Sequence, residues 1–219
     1  MVLRTPYDAV IFDNDGVLTT PTERSVLVDA MYDAFEAIGV ADPPADHVET
    51  LLGPTVDSLH RVADGHDIDP DRLWQARETA AIEAQLAELR AGRKAPYDDV
   101  ATLESLSVPT GIVSNNQHET IGNVIEHCEL APFDVWYGRE PTLEGIERKK
   151  PTPHYLERAL AALEPDNPLF VGDSRADIGA ADAAGIDAAF LRRDHRTDYE
   201  LSTEPAHELE SLAALSDLI

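Results

Sequence analysis

The chain has 219 residues, 43% of them apolar, enough for one substantial core or for a domain that carries a smaller insertion. Forty-two acids against seventeen bases give a formal net charge of −25, which excludes nucleic acid backbones and anionic lipid surfaces as electrostatically favoured partners. No run approaches the ~18–20 continuous apolar residues of a membrane span, and a single cysteine, Cys128, excludes an internal disulfide.

Lysine occurs only at Lys94, Lys149 and Lys150. Acids spread over the whole chain with so little lysine predict adaptation to high salt. Thermal stability should then rise from dilute buffer to molar potassium chloride, as screening relieves self-repulsion. Melting curves across that range check this, and a flat or falling Tm would remove the reading. The first six residues show no charged head, long apolar stretch and cleavage site, so no signal peptide is expected. With the lone cysteine, this points to a reducing cytoplasm.

In chain order, the first element is a short apolar strand, Ala9–Phe12, bounded by polar residues. About a hundred residues separate it from the next strand, far more than one crossover needs. That interval reads as helical. Residues 26–38 place Leu27, Ala30, Met31, Ala34, Phe35 and Ile38 at helical spacing, and 73–89 form a second long candidate. Pro43-Pro44, Gly53-Pro54 and Asp69-Pro70 punctuate the region. The expected organisation is therefore a core of residues 1–19 and 96–219, with a helical domain of residues 20–95 inserted after the first strand. Hinges fall near 19–22 and 92–96.

Strand and helix then alternate. Strands are expected at 110–113, 135–137, 169–171 and 188–191, with helices at 117–128, 153–163 and Arg175–Ala184 between them. Thr152 reads as an N-cap and Pro153 as a first helical residue. Residues 206–215 read as one more surface helix. Such alternation predicts an α/β fold with a Rossmann-like parallel sheet covered on both faces.

Polar motifs close the strands, where open parallel sheets bind ligands. The first is Asp13-Asn14-Asp15-Gly16-Val17-Leu18. Residues two apart on a strand point the same way, and two adjacent carboxylates call for a cation. The fourth strand ends in Gly172-Asp173-Ser174-Arg175-Ala176-Asp177, with Asp173 and Asp177 about one helical turn apart. Oxygen-only acidic ligands suit Mg2+. Helix capping needs one such residue and does not explain both acids. The second strand ends in Ser114-Asn115-Asn116, which can donate to a phosphoryl oxygen. Lys150 precedes Pro151, which favours extended geometry for it. Each motif alone also fits a turn, a cap or a solvated base. Together they supply a nucleophile, a second carboxylate, phosphate donors, a cation and a metal site, the parts that phosphoryl transfer uses.

These four motifs, in this order, resemble those of the haloacid dehalogenase superfamily of hydrolases, over essentially the whole chain. The segment Ile178-Gly179-Ala180-Ala181-Asp182-Ala183-Ala184-Gly185 resembles the family's stretch after its last acids. An insertion at this place is similar to the helical cap of phosphoglycolate-phosphatase-like members. The resemblance implies that Asp13 forms an aspartyl-phosphate and Asp15 is general acid and base. It implies Mg2+ held by Asp13, the Asp15 backbone carbonyl and Asp173, with Asp177 positioning metal water or Lys150. Ser114 and Lys150 would hold phosphoryl oxygens, and Asn115 and Asn116 would contact substrate. The expected partner is a small phosphorylated metabolite, phosphoglycolate first. Asp15 argues against dehalogenase and phosphonatase chemistry. A sugar phosphomutase would carry a cap histidine near Ser25 and an arginine soon after Gly53, and neither is present. The alternatives left open are such a mutase and a non-catalytic binder. For a second anionic group, Arg24, Arg61, Arg72, Arg77, Arg90 and Arg93 are the cap candidates. His118 and His154 follow site motifs and are expected at the surface or in caps.

Overall fold

The computed structural model describes residues 6–130 and 132–219, so most of the N-terminal segment read for a signal lies outside the described residues. Six strands form one parallel sheet: β1 (Ala9–Phe12), β2 (Thr110–Gln117), β3 (Val135–Arg139), β4 (Pro168–Gly172), β5 (Asp187–Leu191) and β6 (His207–Leu209). Their spatial order is β3-β2-β1-β4-β5-β6, which places β1 in the middle, between β2 and β4.

The sheet is buried on both faces because its strands alternate between two cores. Val10, Phe12, Ile112, Leu169, Val171, Ala189 and Leu191 point into one. Ile11, Val113, Phe170, Ala188 and Phe190 point into the other. This is the period of two of a strand whose two faces are both apolar. Helix α5 (His118–His127) and two 3-10 turns, Asp98–Ser105 and Leu212–Asp217, close the first core. Helices α7 (His154–Leu163) and α8 (Arg175–Ala184) close the second with Tyr155, Leu156, Ala159 and Ile178.

The interval after β1 folds into four helices rather than the two whose periodicity is visible. They are α1 (Arg24–Ala37), α2 (Ala45–Leu52), α3 (Val56–Gly65) and α4 (Pro70–Arg90). The Pro and Gly punctuation cuts the two short ones. Thr55 and Ser58 form a capping box at α3, and Asp69 caps α4 with Pro70 in its first turn, as the chemistry of these residues favours. The four helices pack their own apolar cluster, including Met31, Phe35, Leu51, Leu59 and Leu73, joined from the core side by Ile146 of the short helix α6 (Leu143–Glu147). The two connecting segments run side by side: Thr20 N–H donates to the Ala95 carbonyl at 2.9 Å, and Thr19 bridges Pro96.

Two expectations are corrected. Residues 206–215 are not one surface helix but a strand followed by the start of a 3-10 turn. His207–Leu209 add a parallel strand to the open edge of β5, satisfying its backbone groups, and Leu209, Leu212 and Leu215 turn into the core. Thr152 does not cap α7: its hydroxyl donates to the Lys149 carbonyl at 2.8 Å, and Pro153 stands at the cap. No helix among the described residues is long and apolar enough to cross a membrane.

Candidate active site

β1 delivers Asp13 to the carboxyl edge of the sheet, where its N–H donates to the Val171 carbonyl of β4 at 2.9 Å. The chain then turns tightly. The Asn14 carbonyl accepts from Val17, Leu18 and Thr19 N–H groups at 3.2, 2.8 and 3.0 Å. Gly16 sits at φ +84°, and a Cβ there would lie 2.2 Å from Asp173 Oδ2. Only glycine allows both the left-handed conformation and this approach, so the turn lies directly against the motif that ends β4.

Lys150 is the electrostatic centre. Its Nζ lies 2.8 Å from Asp13 Oδ1, 2.6 Å from Asp177 Oδ1 and 3.0 Å from the Val113 carbonyl. An ammonium has three hydrogens, and three protein oxygens surround it. The residue is almost fully buried. Burial alone would weaken its charge, but Asp13 and Asp177 outweigh burial and hold its pKa above the ordinary lysine value. The Lys150–Pro151 peptide is cis. Asn115 clamps the Lys150 backbone from both sides, its Nδ2 donating to the carbonyl at 3.0 Å and its Oδ1 accepting the N–H at 2.7 Å. The Asn115 side chain thus holds Lys150 in place while lining the cavity.

Asp177 has two tasks. Its Oδ2 accepts the Ser174 N–H at 3.0 Å and the Ser174 hydroxyl at 2.5 Å, closing the capping box of α8. Its Oδ1 faces Lys150. Capping and site chemistry therefore share one side chain. Asp173 is buried and takes His195 Nε2 at 2.8 Å and Arg196 Nε at 2.9 Å on Oδ2. Burial pushes the Asp13 carboxyl up to about 7; Lys150 opposes this, while Asp177 and Asp173 add to it.

Oxygens of Asp13, Asp173 and Asp177 all lie within 4.8 Å of one another. Three buried carboxylates at that spacing exceed the combined charge of Lys150 and of Arg196 beside Asp173. A hard divalent cation with oxygen ligands fits this donor set.

Asp15 faces the other way, toward the inserted helices. Its Oδ1 is 2.5 Å from Lys94 Nζ and 2.5 Å from Asn14 Nδ2, and its Oδ2 accepts from Asn116 Nδ2 at 3.3 Å. Asn116 also exchanges two hydrogen bonds with Gln85 of α4, at 2.6 and 2.9 Å. Ser114 is buried, and its hydroxyl accepts the Asn116 N–H at 3.2 Å. Asp13, Asp15, Ser114, Lys150, Asp173 and Asp177 all line one cavity of about 400 Å³ between the sheet edge and the inserted helices.

Sequence reasoning misses several residues here. Lys94 has a fully buried side chain and reaches Asp15 from the second connecting segment; its rarity as one of three lysines was the available signal. His195 and Arg196 belong to a short basic run, Arg192-Arg193-Asp194-His195-Arg196. Arg139, at the end of β3, carried no signal. Of the six cap arginines, only Arg77 lines this cavity. His118 stacks on Trp136 and accepts the Gly138 N–H; neither it nor His154 lines the cavity.

The family model of haloacid dehalogenase-like hydrolases matches residues 7–185. The chain belongs to this family. Among the relatives of this haloacid dehalogenase-like hydrolase is the phosphoglycolate phosphatase of Neisseria gonorrhoeae, 32% identical over 188 residues, covering 81% of this chain and 76% of that protein. The pyrophosphatase PpaX of Anoxybacillus flavithermus is 26% identical over 221 residues, covering 97% and 96%. Among solved structures, CbbY of Rhodobacter sphaeroides in complex with phosphate superimposes with a TM-score of 0.67 over 95% of this chain and 96% of that one, at 21% identity. That likeness concerns the fold. The haloacid dehalogenase-like hydrolase described here thus has phosphatases among its named relatives, and it places a cluster of acids at the carboxyl edge of its sheet.

Proposed function

We propose that this hydrolase is a Mg2+-dependent phosphatase that cleaves a small phosphate monoester through an aspartyl-phosphate on Asp13, with phosphoglycolate as the first candidate substrate. The observation that carries the reading is the single buried site in which Asp13 meets Lys150 on one side while Asp173 and Asp177 stand within 4.8 Å. The named phosphoglycolate phosphatase relative supports the choice of substrate. The helices of residues 20–95 act as the cap, closing the cavity against bulk water.

Asp13 attacks phosphorus, forming a P–O bond as the ester P–O bond breaks. Asp15, two residues on and across the same cavity, gives the leaving oxygen its proton. It then takes a proton from the water that attacks the aspartyl-phosphate, releasing orthophosphate and free Asp13. Asp13, Asp173 and the Asp15 backbone carbonyl would hold Mg2+, which offsets the repulsion between carboxylate and phosphate. Ser114 and Lys150 hold the phosphoryl oxygens. When Asp13 becomes the acyl phosphate its carboxylate charge is lost, the balancing charge rests on Asp15 once that residue has protonated the leaving oxygen, and the Lys150 hydrogen that faced Asp13 turns to the phosphoryl oxygens. Asn116 and Gln85 carry the cap's position to Asp15.

The test is a phosphate-release screen over small esters in molar potassium chloride, with and without Mg2+. Mg2+-dependent release confined to chains that retain Asp13 is expected. No release from any ester by folded protein would turn the reading to a mutase or a non-catalytic binder.

A further inference from the structure

The cavity has a second pole, formed where the cap meets β3. Arg77 of α4, Arg139 at the end of β3 and Lys149 next to Lys150 all line it, together with Trp74. Both guanidinium groups lie on the Trp74 ring, at 5.3 and 4.6 Å from its centroid. One acid answers them. Glu78 Oε1 accepts from Arg77 Nη1 at 2.7 Å and from Arg139 Nη2 at 2.8 Å. Three cations against one carboxylate leave a local excess of positive charge in a chain whose net charge is −25.

These cations are not equally occupied. Arg77 gives Nε and Nη2 to the Leu51 and Leu52 carbonyls, at 3.0 and 3.3 Å, so each of its three nitrogens has a partner. Arg139 gives Nε to the Asn115 carbonyl at 3.3 Å, but its Nη1 is buried with no partner, on a residue only 3% exposed. Trp74 Nε1 is likewise buried and unpartnered. Lys149 gives one hydrogen to the Pro54 carbonyl at 3.0 Å. Burial first, then Arg139 and Arg77, lower its pKa from the ordinary lysine value. An unpaired buried donor on a charged group is costly. An anion seated here would take the hydrogens of Arg139 and Trp74 and relieve the repulsion among the three cations.

We infer that Arg139, Lys149 and Trp74, with Arg77 behind them, form a second anion subsite that selects phosphate compounds bearing another anionic group, a carboxylate or a second phosphoryl group. The inference rests on the phosphatase reading for the first subsite. The spacing is short: Asn115, whose carbonyl anchors Arg139, is the residue that clamps Lys150. The two anionic groups should therefore lie only a few bonds apart.

The test separates this inference from the reading beneath it. Binding to the turnover-blocked Asp13→Asn protein is measured by calorimetry with Mg2+, in the least potassium chloride that keeps the chain folded. Phosphoglycolate, pyrophosphate and the neutral-tailed 2-hydroxyethyl phosphate are compared. At least one anionic-tailed compound should bind about tenfold or more tightly than the neutral one, and whichever does so identifies the tail. Added Lys149→Gln or Arg139→Lys should shrink that preference to about twofold, with Arg139→Lys guarding against loss of fold. Equal binding of all three compounds, or variants that weaken all three alike, would overturn the subsite and leave the cluster a cap–core clamp. Release assays with wild type run alongside: absence of Mg2+-dependent release from any ester would defeat the phosphatase reading without altering what the binding series says.

Discussion

Asp13→Asn should abolish phosphate release, by on the order of 10⁴-fold or more, while the fold remains intact. The substitution removes the proposed nucleophile, and removal of a nucleophile costs this much or more in enzymes that form covalent intermediates. Its shape is nearly unchanged, and Lys150 keeps Asp177 as an ionic partner at 2.6 Å. The direction of the stability change is informative. The folded-state pKa of Asp13 is raised from 3.8 to about 7, chiefly by burial. The folded protein therefore disfavours ionisation of this group relative to the unfolded chain. Without Mg2+, wild type should lose stability as pH rises from about 4 to about 7 and then level off, by an amount of the order of a few kcal/mol. The neutral asparagine escapes this loss. Metal-free Asp13→Asn should thus melt higher than metal-free wild type at pH 8, with the gap closing toward pH 4. Mg2+ should raise the melting temperature of wild type more than that of the variant. Phosphate release and paired melting curves at several pH values test both parts. Substantial activity in a clean preparation of Asp13→Asn would remove Asp13 as the nucleophile.

Lys150→Met should have the second largest effect, and on stability as well as activity. The methionine fills the space but leaves Asp13 and Asp177, both buried, without their shared cation. Removing one partner of a buried ionic group typically costs about 3–5 kcal/mol, which for a chain of this size lowers Tm by roughly 10 °C. Activity should fall by at least about 10²-fold, the scale of losing one charge-assisted donor to the reacting group. The deficit in Tm should narrow as pH falls toward 5, because the Asp13 carboxyl, already raised to about 7 and pushed higher once Lys150 is gone, takes up a proton and removes one of the two uncompensated charges. A variant that melts within 2 °C of wild type at neutral pH would show that Lys150 does not neutralise this pair.

How much of this site could be read in advance depends on how local each residue's signal is. Asp13 and Asp15, Asp173 and Asp177 announce themselves because an apolar run of strand length stops at them. A parallel sheet brings all such stops to one edge, whatever the order of its strands. The same locality makes the α/β fold legible, since strand and helix periods alternate visibly from 110 onward. Locality also misleads. Residues 206–215 carry apolar residues compatible with a helix, and only the unpaired edge of β5 makes three of them a strand. For Asn115, the local motif suggests a substrate contact, and only the fold shows that its amide also clamps the Lys150 backbone.

The sequence by itself determined the architecture, the four acids, Lys150 and the insertion that covers them. The tertiary structure alone decided what those groups touch. It brought Lys94 to Asp15 across 79 positions, put His195 and Arg196 on Asp173, and joined Arg139 to Glu78 across 61. The physical reason is the same in each case. A hydrogen bond or ion pair between side chains so far apart leaves no periodicity or spacing in the chain. It exists only once separate segments, the helical insertion and the sheet edge in two cases and the turns after β4 and β5 in the other, are brought together around a cavity.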